Sequence, residues 1–219
     1  MALKSIKSER RRLADEVYDQ LLDSILDGEI GADDRLVQEK LAAELQISRT
    51  PVREALLRLE QEGVLATSSR GGFVLHRMEE KEVRELYQAR AAVEGQAARI
   101  LAHRNDPQEL AILRRTIETE ENISSASAKD YFEANRAIHR KFVELVDNRY
   151  LLDMFDSIWN RAVGFLFFAA IEKVDLTKSL GDHMSLVEAI ATGDKGHALE
   201  VFTTHIQEGF ELQIEGLGA

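Results

Sequence analysis

Apolar residues recur at every fourth position from Leu13 through Val17 and Leu21 to Ile25, a stripe that predicts a helix running to Asp27 and closed by Gly28 and Gly31. A second, shorter stripe (Leu41, Leu45 and Ile47) marks a brief helix in LAAELQIS. Ser48 ends it and can cap the next, since a serine hydroxyl accepts from orphan amides two or three residues on. Pro51 then falls in a first helical turn, where its missing N–H costs little. This third helix is expected to reach about Gln61, burying Val52, Leu56 and Leu59 and directing Arg49, Thr50, Arg53 and Arg58 elsewhere, with Gly63 as its stop. The run VLATSSRGGFVL is two β-prone segments around a Ser-Ser-Arg-Gly-Gly tip, the turn chemistry of a hairpin.

Beyond Leu75 the pattern becomes wholly helical. Residues Met78 to Glu82 are the expected linker, short and fairly stiff because no Gly/Ser tract is present. Six helices are expected over 79–103, 107–124, 129–147, 150–172, 178–192 and 195–216, broken by Asn105-Asp106-Pro107, by ISSAS, by Asp147-Asn148, by Val174-Asp175 and by Gly193-Asp194. Short connections favour an antiparallel bundle. The fold class is therefore mainly α: an N-terminal winged helix-turn-helix with a small β-hairpin wing over 1–78, and an antiparallel all-α bundle over 79–219.

Two prolines in 219 residues agree with a helical chain. The strongest apolar run, AVGFLFFAAI at 162–171, is too short to span a bilayer, so no membrane partner is expected. The first residues lack the apolar segment of a secretory signal, and the absence of cysteine fits a reducing compartment; a cytoplasmic location is the expectation. The net charge of −11 looks wrong for a DNA binder, but its placement is uneven. Residues 1–77 carry −2, the remainder −9, and 48–77 hold five basic residues against three acidic ones. Acid concentrated in the C-terminal part would leave one face of the N-terminal part to dock.

The start of the third helix carries Arg49, Thr50 and Arg53 at the end that enters the major groove in helix-turn-helix proteins. Arginine can bond guanine O6 and N7 together, threonine can meet phosphate or a thymine methyl, and the helix N-terminus itself attracts phosphate. Arg70, followed by Gly71 and Gly72, brings cation and close-approaching backbone to the hairpin tip. Arg10, Arg11 and Arg12 could touch the phosphate backbone or form an ordinary solvated run.

The bundle offers a second constellation. Asn135 and His139 stand four apart on one helix face, while His183 opens the fifth predicted helix and His205 lies within the sixth, each imidazole set among apolar neighbours. Imidazoles so placed must be neutral and hydrogen-bonded or must bind metal; three of them with one side-chain oxygen suit Zn²⁺ or Ni²⁺. Spacing alone leaves both open. Arg90 lies beside an apolar stripe and can either pair with Glu94 one turn on or clamp a carboxylate effector. Arg161 is a weaker candidate of the same kind.

The run SRTPVREAL, followed by EGVL and RGGFV, resembles the winged-helix domain of the GntR superfamily of bacterial transcription regulators over roughly residues 10–78. The resemblance implies DNA contacts by Arg49, Thr50 and Arg53 with Gly71 and Gly72 at the wing, and points to Arg35, where family members often carry a basic residue. LYQARAAVEGQAARIL, then N-x-x-x-H, then D-H-x-x-x-x-E-A-I and a later histidine, resemble the FCD effector domain of FadR-type members in its shorter, VanR-like form. That resemblance implies a divalent metal held by Asn135, His139, His183 and His205, with asparagine in place of the more frequent aspartate, and Arg90 in the same pattern. The expected protein is a dimeric, non-enzymatic regulator, a repressor as commonly in the family, that binds operator DNA and answers to a small organic acid. Two alternatives stand beside it: a sensor for the metal itself, and a metal-dependent hydrolase fused to a DNA-binding module, for which Glu188 is badly placed as a base.

Overall fold

The computed structural model describes residues 9–31, 33–76, 79–122, 128–160 and 181–217. Two compact units divide near residue 77. The first holds helices α1 (Glu9–Leu26), α2 (Gln38–Glu44) and α3 (Arg49–Gln61) and strands β1 (Leu65–Thr67) and β2 (Phe73–Leu75). Helix α1 starts one turn before the predicted Leu13, and Leu13 is exposed at its surface. Val17, Leu21 and Ile25 are buried as their spacing requires, with Val52, Ala55, Leu56 and Leu59 of α3 in the same unit. Burial of each of the valine, leucine and isoleucine side chains contributes ~1.5–3 kcal/mol.

Two local expectations are corrected. Ser48 is the N-cap of α3 by backbone conformation, but its hydroxyl makes no capping bond. In α2 the buried residue is Ala42, while Leu41, Leu45 and Ile47 are only half-buried, because a seven-residue helix turns too little surface inward to cover a three-residue stripe.

Strands β1 and β2 pair antiparallel with Leu65 opposite Leu75, Ala66 opposite Val74 and Thr67 opposite Phe73. The hairpin does not stand alone. Leu36 exchanges both backbone hydrogen bonds with Phe73, each 2.8 Å long, so the segment before α2 adds a third rung to the wing. Gly72 makes this approach possible: a β-carbon there would sit 2.5 Å from the Leu36 carbonyl oxygen, and φ is +77°.

The second unit is an all-helical bundle: α4 (Glu80–Arg104), α5 (Pro107–Glu120), α6 (Ala128–Leu145), α7 (Arg149–Asn160), α8 (His183–Ala191) and α9 (Lys195–Leu217). Glu79 and Glu82 form a reciprocal capping box, so helix begins at Glu80, inside the predicted linker. Asp106 accepts from the Gln108 amide ahead of Pro107, the start signal anticipated for α5, which stops at Glu120, four residues short of its predicted end. Helix α8 begins at His183, within the predicted 178–192 span, of which 178–180 lie outside the described residues; Asp182 before it has φ +76°, a left-handed conformation that a helix does not continue through. The rest of the 150–172 prediction, the apolar 162–171 stretch and Arg161 lie outside the described residues.

Helix α4 is central, packing against α6, α7, α8 and α9. Its buried face carries Val83, Tyr87, Val93, Ala97, Ala98 and Leu101, and in the middle two charged residues, Arg90 and Glu94. Around them the core is aromatic, with Phe132, Phe142, Phe155, Trp159 and Phe202 buried. Arg140 binds Asp156 through two nitrogens at 2.9 and 3.0 Å, fixing α6 against α7.

Candidate DNA interface and candidate metal centre

Helix α3 presents Arg49, Thr50 and Arg53 to solvent at its N-terminal turns, with no acidic residue in the first turn to oppose an anion. Arg49 meets Glu39 of α2 at 3.4 Å. An ion pair this exposed is worth about 0–1 kcal/mol, so phosphate can displace it. Arg58 belongs elsewhere: it pairs with Asp15 and Glu62 and lies 3.8 Å over the Tyr18 ring, tying α3 to α1.

At the wing, Arg70 and Gly71 are exposed, and nothing lies within 4 Å of where a Gly71 β-carbon would stand. Arg35 reaches across to donate to the Arg70 carbonyl at 2.7 Å. It thus braces the wing tip. The two glycines also differ: Gly71 is open to a groove wall, whereas Gly72 is demanded by the Leu36 rung.

In the bundle, His139 of α6, His183 of α8 and His205 of α9 converge. The Nε2 atom of His139 lies 3.3 Å from that of His183 and 3.3 Å from that of His205. The opposite ring nitrogens are held from behind. His139 Nδ1 donates to Glu94 Oε2 at 2.6 Å, and His183 Nδ1 to Glu121 Oε1 at 3.0 Å. A carboxylate accepts only, so the proton of each ring sits at Nδ1 and each Nε2 turns a bare lone pair inward. Burial pushes the His139 imidazole down to about 4, partly offset by Glu94; burial and the neighbouring imidazoles push His205 down to about 2. Both are neutral near pH 7.

Lone pairs facing one another at 3.3 Å repel unless a cation or proton stands between them. A proton on His205 Nε2 can serve one contact of His139, whereas a cation among the three nitrogens serves all of them together. Two imidazole nitrogens on one tetrahedral ion with ~2.05 Å bonds lie about 3.4 Å apart. The donor set fits a borderline divalent ion. Asn135 is buried one turn before His139 on α6.

Glu94, which spacing offered only as a partner for Arg90, also holds His139 and Trp159. It is 1% exposed, its Oε1 accepts from Arg90 Nε at 2.9 Å and from Trp159 Nε1 at 3.4 Å, and its Oε2 from His139. Burial alone would raise its carboxyl; the charge of Arg90 and the hydrogen bonds from Arg90 and His139 outweigh that and hold it well below the usual range. Of the two alternatives for Arg90, the ion pair with Glu94 is present, and the guanidinium also lies 4.3 Å over the Trp159 ring. A carboxylate on the apolar face of a helix needs a partner, a signal that VEGQAA carried. Glu121, at the end of α5, carried none.

The arrangement defines a two-part regulator, a winged helix-turn-helix followed by an all-helical effector-type bundle. The FCD domain family matches residues 85–208, and the bacterial regulatory proteins of the gntR family match residues 13–75. Among similar proteins, the Nta operon transcriptional regulator of Aminobacter aminovorans is 31% identical over 83% of this chain and 85% of its own. The probable D-xylose utilization operon transcriptional repressor of Paenarthrobacter nicotinovorans is 26% identical, over 90% of this chain and 87% of its own. Of solved structures, E. coli McbR/YncC aligns over 93% of this chain and 97% of its own with a TM-score of 0.67 at 22% identity. The metal-free FCD domain of TM0439 aligns over 64% of this chain and 97% of its own with a TM-score of 0.51 at 24% identity. This chain belongs to the GntR family of transcription regulators, with an FCD domain as its C-terminal part. These families and relatives are regulators of transcription, not enzymes. Among the described residues no helix is long and apolar enough to cross a membrane.

Proposed function

We propose that the protein is a ligand-responsive repressor that binds operator DNA as a homodimer and holds a divalent ion, zinc or nickel, in its FCD domain as part of the site for a small carboxylate effector. On the DNA side, Arg53 and Arg49 are the base-reading residues, Thr50 a phosphate or methyl contact, and Arg70 with Gly71 the wing contact. Arg35 acts through the wing, and Gly72 through its backbone. Two heads related by a two-fold axis read inverted half-sites about one helical turn apart. Repression agrees with the naming of the D-xylose relative as a probable repressor; its relief by ligand is part of this proposal.

The observation that carries the metal half is the convergence of three inward Nε2 atoms, two of them braced from behind by carboxylates. His139, His183 and His205 would hold the ion, with Asn135 as the fourth donor. An amide oxygen neutralises less charge than a carboxylate, so chelation should strip the ion readily. When bound, the ion supplies a positive centre for an organic acid. The chain's own contribution is a dry wall of aromatic side chains and the Arg90 guanidinium, held ready by Glu94. The effector's different affinities for two domain arrangements provide the coupling, typically ~1–3 kcal/mol. A thermal-shift screen of mono-, di- and tricarboxylates on chelated, zinc-loaded and nickel-loaded protein tests this reading. A carboxylate that stabilises only the metal-loaded form supports it. Identical melting in all three forms with every acid overturns it.

A further inference from the structure

Glu94 is shared between two parts of the bundle that the proposed function treats separately. One oxygen receives Arg90 and Trp159; the other receives His139. Arg90, Glu94, His139 and Trp159 are 7%, 1%, 1% and 4% exposed, so water has little access to replace any partner. In so dry a place, electrostatic contacts are strong and a change at one end is felt at the other.

We infer that Glu94 is the positioning residue through which the anion-clamping guanidinium and the metal-ligating imidazole act on each other. The inference rests on the metal reading above. With a cation held at its Nε2, the His139 ring would be a stronger donor through Nδ1–H, and Glu94 would shift toward His139, away from Arg90 and Trp159. In the other direction, an anion on Arg90 competes with Glu94 Oε1 for the guanidinium. More of the carboxylate's charge then falls to His139, which becomes a better ligand. Metal and anion thus favour each other, and thermodynamic linkage makes the factor equal in both directions. Glu121 braces His183 from a half-exposed position at the end of a different helix and serves as the contrast.

Trp159, the chain's single tryptophan, reports the event, because its indole N–H donates to Glu94 and its ring lies 5.9 Å from that of His139. The experiment titrates Zn²⁺ into chelator-stripped full-length protein, reading tryptophan fluorescence and, independently, affinity by competition with a chromophoric chelator. The wild type should show a fluorescence change that saturates with the measured affinity. Glu94→Gln should bind Zn²⁺ about 10–100-fold more weakly and lose the fluorescence change even at saturation. Glu121→Gln should weaken binding by a comparable factor yet keep the full change. Arg90→Lys, which retains the charge while loosening the grip on Oε1, should tighten Zn²⁺ by about fivefold although Arg90 is not a ligand, and it answers the question even if Glu94→Gln does not fold. Unaltered Zn²⁺ affinity in Arg90→Lys, or an unaltered fluorescence change in a folded Glu94→Gln, overturns the inference. His139→Ala separates the two readings. If it loses Zn²⁺ while these variants behave as wild type, only the linkage falls; if it too binds as wild type, the metal centre falls with it.

Discussion

The two units handle positive charge in opposite ways. In the N-terminal unit the arginines that matter stand in water: Arg49, Arg53 and Arg70 are exposed, and the ion pair of Arg49 with Glu39 is long and solvated. In the bundle the decisive arginine is inside, Arg90 paired with Glu94 in an aromatic shell. An exposed guanidinium costs the fold almost nothing and can be lent to a partner. A buried one is committed, because removing either member of the pair strands the other in low dielectric. Surface chemistry therefore suits a contact made and broken with DNA, and buried chemistry suits a site that must keep its geometry.

Four experiments sharpen or break that contrast. The largest effect is expected from His139→Ala, which should abolish bound metal and with it the stabilisation by added Zn²⁺, up to ~4 kcal/mol at a thousandfold excess over the dissociation constant. Metal analysis of the dialysed variant checks it, and full occupancy would remove the site. Next, Arg90→Ala should cost about 3–5 kcal/mol in denaturant melts by leaving the Glu94 charge buried without its counter-ion, whereas Arg49→Ala should stay within about 0.5 kcal/mol. Equal costs would erase the distinction between the units. Third, Arg53→Ala should weaken operator binding by ~1–3 kcal/mol with its melt unchanged, as measured by anisotropy at fixed salt. The smallest separation lies within the wing. Gly72→Ala should destabilise by about 1–3 kcal/mol, combining strain at positive φ with the Leu36 collision, and Gly71→Ala, with open space at that position, by the strain alone. If Gly71→Ala proves the costlier, the three-rung wing is misread.

What the sequence disclosed follows the range of the interactions. Helix α3 ends at Gln61 and the hairpin turns through Gly71 and Gly72 as foreseen, because local periodicity and turn chemistry decide both. The three histidines come together as the family resemblance implied; spacing alone put Asn135 and His139 on one face and left the meeting of three helices open. Contacts between distant segments were silent. Nothing near Arg35 told of the Arg70 carbonyl thirty-five residues on, nor anything near Glu121 of His183. Arg58 looked like its neighbours on α3, yet α1 claims it through Asp15 and Tyr18. Ser48 shows a different limit: residue type located the helix start correctly, while the hydroxyl makes no capping bond.

The rung between Leu36 and Phe73 also has a mechanical meaning. It fastens the segment ahead of α2 to the hairpin, and the Arg35 strut ties that segment to the hairpin's tip. In a homodimer as proposed here, a signal would then reach DNA-reading heads whose wing moves together with the segment that leads into the turn helices. What it can alter is the separation and tilt of the two heads, and a mismatch of a few ångströms against the pitch of the double helix would be enough to make them release.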